Sequence, residues 1–297
     1  MIDTLEARTA AGGSGKLPGS VFAELGRTEF AAIAQIMQEE TRISLTPTKT
    51  TLVQSRLSRR VRDQGLVSFR DYLKLVNSDP VERAAMIVAL TTNHTHFFRE
   101  NHHFEHLRET VLPWLKDRAR EKPVRIWSAG CSTGEEVYSI AMCMLGRDRS
   151  SAAWLRQGDI RLLATDLAPH VIEATRRGVY SASTIERVPA AYRAAWMQPS
   201  GNDFVMAQEA RTLVTARVLN LFDPWPMRHQ YDVIFCRNVM IYFDDEAKAE
   251  LEARFLAMLA PGGYLYIGHS ERLIGAAAHG MMACGQTTYL KHGGSAR

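Results

Sequence analysis

The segment Trp127–Glu136 reads WSAGCSTGEE, an apolar run that gives way to a glycine-containing turn and then to two acids. Val124–Ser128 before it is strand-like and Glu135–Leu145 is helix-like, so the glycines fall on a strand-to-helix turn. Open α/β sheets bind ligands at such turns, outside the carboxyl ends of strands, and glycine lets backbone approach the ligand. The same residues also suit a tight turn that binds nothing. Asp166 closes the next apolar run, Ile160–Thr165. There a carboxylate can accept both hydroxyls of a ribose, or it can cap the helix that Pro169 opens. The dinucleotide fingerprint G-x-G-x-x-G is not met, because Ala129 stands at the first glycine position. Glu135 and Glu136 would repel a pyrophosphate and suit an ammonium or a sulfonium group. That charge pattern favours S-adenosylmethionine over a nicotinamide dinucleotide.

Positioning this turn needs strands alternating with helices, and the second part of the chain supplies them. Val124–Ser128, Ile160–Thr165, Tyr231–Cys236 and Tyr264–Ile267 are short apolar runs separated by helical stretches, the last of them after the turn Pro261-Gly262-Gly263. This pattern predicts an α/β domain with a mostly parallel sheet over residues 124–297. Residues 189–218 depart from it. A helix-like start, the turn PSGND and the alternating runs FVMA and TLVTARV predict a small inserted β-subdomain. Residues 23–115 show only helical spacing, with stripes at Phe30, Ile33 and Met37 and at Val53, Leu57 and Val61. Asp79-Pro80 predicts an N-cap and a first-turn proline opening a helix through Leu90. The charged segment 116–123 (KDRAREKP) reads as a linker, and the low-complexity residues 1–22 as a flexible leader.

Composition agrees with two folded units. The chain has 297 residues, 46% hydrophobic and 23% charged, which excludes wholesale disorder. The absence of a long apolar run predicts no membrane insertion. The four cysteines form no C-x-x-C pair, which disfavours a zinc knuckle or a disulfide scaffold and fits a reducing cytosol. A formal charge of +4 is too small to mark a nucleic-acid binder.

Taken together, Thr91–Glu100 (TTNHTHFFRE), Trp127–Ser139 (WSAGCSTGEEVYS), Asn220-Leu221, Phe235–Phe243 (FCRNVMIYF) and Gly268–Glu271 (GHSE) resemble the CheR-type chemoreceptor glutamate O-methyltransferases, over about residues 25–292. The resemblance implies an all-α N-terminal domain followed by a Rossmann-like S-adenosylmethionine-dependent methyltransferase domain with a small inserted antiparallel β-subdomain. It implies that Asn93, Thr95 and Arg99 line the cofactor site from the inter-domain side. Glu136, in preference to its neighbour Glu135, would bind the methionine end of the cofactor, Asp166 the ribose, and Asn220 and Leu221 the adenine. Arg237 and Asn238 would lie beside the cofactor, and Arg99 and Tyr242 are candidates for contact with the reacting carboxylate. Read from the residues alone, Arg99 also suits an ion pair with Glu100 or Glu105, and Tyr242 a core aromatic. The implied product is S-adenosyl-L-homocysteine, the implied partner the cytoplasmic helical bundle of a chemoreceptor, and the implied location the cytoplasm. One departure matters: Met197–Ala207 is about three residues shorter than the loop of members that dock a receptor's C-terminal pentapeptide, so that tether is not expected here. The oligomeric state stays open.

Two further clusters carry weaker signals. His102 and His106 share a helical face, but position 103 is His, so the H-E-x-x-H zinc pattern is not met. A polar helix at the domain interface is expected rather than a metal site. Arg56, Arg59 and Arg60 are expected on one face of a helix, opposite the Val53–Leu57–Val61 stripe, where they would dock an acidic helical substrate. Two readings from other classes remain: a cofactor- or product-binding regulatory module without catalysis, and a methyltransferase acting on another substrate.

Overall fold

A computed structural model describes residues 24–156 and 158–293; the expected leader, 1–22, lies outside them. Four helices come first: α1 (Arg27–Thr41), α2 (Thr50–Asp63), α3 (Phe69–Ser78) and α4 (Pro80–Leu90). The two stripes predicted from spacing meet in one core with Tyr72, Val76 and Met86. Val53, Leu57 and Val61 are fully buried, each stabilising by roughly 1.5–3 kcal/mol. Ser68 caps α3 by accepting from the Asp71 amide, and Asp79 caps α4 by accepting from the Val81 amide with Pro80 at the helix start. The predicted helix from Pro80 to Leu90 is therefore present.

The next helix corrects the expected domain boundary. α5 (His102–His106) continues through a π-turn (Leu107–Val111) into α6 (Leu112–Arg118). The π-turn absorbs Pro113, which has no N–H to give to a preceding carbonyl. Phe104, Leu107, Val111 and Leu115 join the core of the sheet, not that of α1–α4. The boundary thus lies near residues 91–101, and 116–123 is partly helix rather than a linker. Spacing revealed the helix but could not reveal which core it would join.

The main sheet contains β1 (Val124–Ala129), β2 (Ile160–Asp166), β6 (Val214–Val218), β7 (Tyr231–Cys236), β8 (Leu259–Ile267), β9 (Met281–Gly285) and β10 (Thr288–Lys291). Its order is β6-β2-β1-β7-β8-β10-β9. The first five are parallel, and β10 and β9 close the edge as an antiparallel hairpin. α7 (Glu135–Leu145), α8 (Pro169–Arg177) and α12 (Asp245–Met258) are the main helices between strands. After β6 the chain returns to the other side of β1 to form β7. The crevice above β1 and β7 is the switch point where such sheets bind ligands.

The inserted subdomain also differs from its expected bounds of 189–218. A separate sheet, β3-β5-β4, is built from β3 (Val179–Ser181), β4 (Met197–Ser200) and β5 (Asp203–Met206). Short helices α9 (Ala182–Ile185), α10 (Ala190–Trp196) and α11 (Gln208–Leu213) flank it. It therefore begins ahead of residue 189. The TLVTARV run instead yields β6, which pairs parallel with β2 from Leu162↔Val214 to Asp166↔Val218. Alternation announces a half-buried strand but not the sheet it will join.

Candidate active site

A cavity of about 510 Å³ opens above β1, β2 and β7, at the junction with the N-terminal helices. That size suits a nucleoside-sized ligand. Asn93, Thr95, Arg99, Glu136, Asp166, Asn220, Leu221, Arg237, Asn238 and Tyr242 all line it. The fold thus gathers every cofactor and carboxylate residue proposed from the sequence.

The glycine turn is shaped by close contacts. Gly130 has φ +81°, and a Cβ there would stand 2.4 Å from Val239 Cγ2. An L side chain is strained at that φ and has no room. Beside it, Asp166 Oδ2 accepts from the Ser132 amide (2.9 Å) and Oδ1 from the Ala168 amide (3.0 Å). Each oxygen keeps lone-pair capacity for a diol. The cap of α8 is Ala168 itself, so Asp166 braces the turn from two residues upstream rather than acting as the N-cap. Burial raises the Asp166 carboxyl above the usual range, against the pull of those amides. Ser132 Oγ donates to the Asn93 carbonyl (2.9 Å), tying the 91–99 segment to the same turn.

The two acids separate in role. Glu135 accepts from Thr133 Oγ1 (2.6 Å) and is not among the lining residues. Glu136 lines the cavity, accepting from Ser128 Oγ (2.7 Å) and Arg237 Nη1 (3.1 Å). Burial raises its carboxyl, while Arg237 and Ser128 oppose the rise. Arg237 is 1% exposed at its side chain and also pairs with Glu100 (3.1 Å). A buried acid for an ammonium, a carboxylate for a ribose and the Leu221 wall for a base fit S-adenosylmethionine, while the Asn220 side chain donates to the Glu40 carbonyl (2.7 Å) and accepts from the Phe222 amide (3.1 Å), bracing that wall.

Arg99 and Tyr242 reach this cavity from distant segments. Arg99 Nη1 donates to the His94 carbonyl (3.0 Å). Glu100 pairs with Arg237 and His269, and Glu105 accepts from Asn101. Tyr242 is half-buried in a 3-10 turn (Met240–Tyr242) after β7. That turn is held by Glu271, which accepts from the Asn238 and Ile241 amides (3.1 and 3.2 Å) and from the Gly268 amide. The GHSE motif had given Glu271 no role. The Tyr242 carbonyl accepts from the Ser44 amide (2.9 Å), and Ile43 bridges Phe243. Sequence reasoning missed this N-terminal wall of Thr41, Ile43, Ser44, Leu45 and Lys49. No local signal marks it, because its partners lie some two hundred positions away.

The arginine cluster requires a correction. At about 100° per residue, Arg60 falls beside Val53 and Arg56 close by, flanking the buried stripe rather than opposing it. Arg60 grips Glu82 with Nε and Nη2 (2.8 and 2.7 Å), and Tyr72 and Gln64 complete the carboxylate's partners (2.6 and 2.7 Å). Glu82 is 3% exposed. Arg56 donates to the Leu90 and Thr91 carbonyls and to Thr92 Oγ1 (2.7, 2.8 and 2.9 Å), fastening the end of α4. Both are structural. Arg59 alone of the three is fully exposed, with Asp63 at 3.6 Å.

The histidines also part company. His106 Nδ1 lies 2.8 Å from the Tyr266 hydroxyl, and the His102 ring lies against that of His103, with centroids 4.1 Å apart. Among the described residues, Glu100, His102 and His103 bring one ligand atom each within 4.8 Å of one another. The Arg237 guanidinium already supplies the countercharge at Glu100, so a divalent ion there would face an adjacent cation.

Comparison with known proteins decides the family. Residues 93–290 match the model described as CheR methyltransferase, SAM binding domain, and residues 28–91 the model described as CheR methyltransferase, all-alpha domain. The chain belongs to the CheR methyltransferase family. It carries that family's S-adenosylmethionine-binding domain, and the split near residue 92 agrees with the boundary set by the two cores. A protein of Rhizobium etli named a probable chemotaxis protein methyltransferase is 45% identical over 254 residues, 83% of this chain and 93% of that one. Chemotaxis protein methyltransferase 2 of Pseudomonas aeruginosa is 38% identical over 268 residues, 89% of this chain and 92% of that one. The chemotaxis protein methyltransferase of Escherichia coli is 37% identical over 256 residues, 83% of this chain and 85% of that one.

Proposed function

We propose that this CheR-type chain is a protein-glutamate O-methyltransferase of chemotactic adaptation, acting in the cytoplasm on the helical bundle of chemoreceptors. The observation that carries this reading is the convergence of Arg99 and Tyr242 on the cavity that also holds Glu136 and Asp166. S-adenosylmethionine supplies, when bound, a methyl group on a sulfonium, and S-adenosyl-L-homocysteine is its product. Glu136 would hold the ammonium of the methionine end, Asp166 the ribose hydroxyls, and Asn220 and Leu221 would border the adenine. Asn93, Thr95, Arg237 and Asn238 complete the enclosure.

A glutamate side chain is already ionised at pH 7. The chain therefore has to orient the carboxylate rather than deprotonate it. Arg99 can hold it by a forked hydrogen bond and Tyr242 by a single one. Carboxylate and sulfonium charges cancel as the bond forms, so water favours the separated ions over the transition state. Walls contributed by both domains gain rate by excluding water and fixing the line of attack. Too firm a grip by Arg99 would stabilise the nucleophile and slow the step.

Exposed Arg59 on α2 is the part of the basic cluster available to an acidic receptor helix. Tethering by a receptor pentapeptide is not expected. The β4–β5 hairpin turns at Gly201-Asn202 with Gly201 at φ +62°, a short connection in place of a longer loop.

The test is transfer of label from methyl-tritiated S-adenosylmethionine to receptor-containing membranes, with full-length and tail-truncated receptor. Base-labile label on both receptors, released as methanol, is the expected outcome. No transfer would favour a cofactor-binding module, and base-stable label would point to another acceptor.

A further inference from the structure

Arg99 is held in an unusual piece of backbone. The residues on either side of it, Phe98 and Glu100, both have positive φ, +52° and +56°. Neither is glycine, and neither Asn nor Asp, so each conformation is costly and needs support from its surroundings. On the Phe98 side the support is apolar. Its ring stacks on Tyr192 at 5.4 Å, lies edge-on to Phe104 at 5.2 Å, and its amide donates to Ser139 Oγ.

On the Glu100 side the support is ionic and comes from two strand ends. Glu100 Oε1 accepts from His269 Nδ1 (2.8 Å), just beyond β8, and from Asn238 Nδ2 (3.2 Å), just beyond β7. Glu100 Oε2 pairs with Arg237 Nη2 (3.1 Å). The same Nη2 donates to the carbonyl of Arg99 itself. Nη1 of that guanidinium holds Glu136 on the cofactor side. Burial alone would raise the Glu100 carboxyl, but Arg237, His269 and Asn238 outweigh it and hold it at about 2. The carboxylate is therefore charged throughout the working range, as a permanent anchor should be.

We propose that Glu100 is a positioning residue for methyl transfer: through Arg237, Asn238 and His269 it pins the strained turn that aims Arg99 at the reacting carboxylate, and so fixes Arg99 relative to Tyr242 on the β7 loop. The proposal rests on the reading of Arg99 as the group that orients that carboxylate. A glutamate serves where a neutral side chain would not. Only a charged group with two oxygens engages three donors on two strand ends while neutralising Arg237 in a buried site.

The test is a double-mutant cycle between Arg99→Ala and Glu100→Gln, read as kcat and KM for receptor methylation. Cofactor affinity by calorimetry and thermal melting accompany each variant. Glu100→Gln should lower kcat about 10- to 100-fold, as for a misaimed orienting group, while KM for receptor changes less than about threefold. In the Arg99→Ala background the same substitution should add no further loss of kcat. If the two losses multiply, Glu100 does not act through Arg99 and the proposal falls. It falls equally if Glu100→Gln keeps wild-type kcat, or loses only melting temperature and cofactor affinity. If Arg99→Ala itself retains wild-type kcat, the underlying reading of Arg99 fails first. Should Glu100→Gln not fold, His269→Gln replaces it, since His269 is an exposed donor to the same oxygen. A smaller kcat loss, again absent in the Arg99→Ala background, is then expected, and a loss that persists in that background overturns the proposal.

Discussion

At the scale of single residues, the candidate site divides labour between groups that hold the cofactor and groups that aim the acceptor. Removing an aiming group should cost turnover without costing the fold. Arg99 is half-exposed and its guanidinium donates to the His94 carbonyl. Arg99→Ala should lower kcat roughly 10- to 100-fold, and Tyr242→Phe roughly tenfold, the worth of one hydrogen bond to a charged group. Both should melt close to wild type in a thermal scan. Wild-type methylation by both variants would remove them from the reaction. Asp166 is expected to act on binding instead. Asp166→Ala should weaken S-adenosylmethionine affinity about tenfold or more by calorimetry, since the ribose partner and the brace on the Ser132 amide go together. Unchanged affinity would refute the ribose role.

At the scale of elements, α2 and the β1–α7 turn show what a motif becomes once it is packed. On α2, Arg60 and Arg59 are neighbours in sequence with unrelated work. Arg60→Ala would strand the buried Glu82 carboxylate and should destabilise by about 3 kcal/mol, read as a fall in denaturant midpoint. Arg59→Glu should leave that midpoint unchanged, raise KM for receptor and reduce the salt sensitivity of methylation. If KM and salt response both stay put, α2 is not the dock. In the β1–α7 turn, Gly130→Ala should destabilise and weaken cofactor binding together. The new methyl would meet Val239 on the loop that carries Tyr242, so the backbone has to move.

At the scale of the whole molecule, the junction is a charged network sealed under the cavity, and it should leave a signature in stability against pH. His103 is fully buried, with Nε2 facing the Gln286 carbonyl and Thr287 Oγ1 and with Glu100, Arg237 and His102 around it. Burial first, then Arg237 and His102, hold its imidazole down at about 3 from an ordinary 6.5. The unfolded chain binds a proton at His103 as pH falls below about 6.5 and the folded chain does not until about 3, so this residue lowers stability as the pH is lowered through that window. Buried carboxyls with raised values, such as Asp166 and Glu136, work in the opposite direction. The comparison that isolates His103 is therefore between slopes. Between pH 7 and 5 the denaturant midpoint of His103→Gln should fall less steeply than that of wild type, and parallel slopes would refute the assignment.

Much of this was legible from sequence because it is local. The glycine turn, the acids beside it, Asp166 at a strand end and the Asp79-Pro80 helix start depend on residues a few positions apart, where backbone geometry and capping chemistry act directly. The helical stripes of α1 and α2 were equally plain, since burial imposes its own period. What the tertiary structure alone decided is partnership over distance. It assigned α5 and α6 to the core of the sheet, joined TLVTARV to β2, brought Ser44 against Tyr242, and turned Arg56 and Arg60 from a docking surface into internal struts. Periodicity tells a segment that it must bury a face. Only the shape and charge of the surface it meets determine which face is covered, and by what.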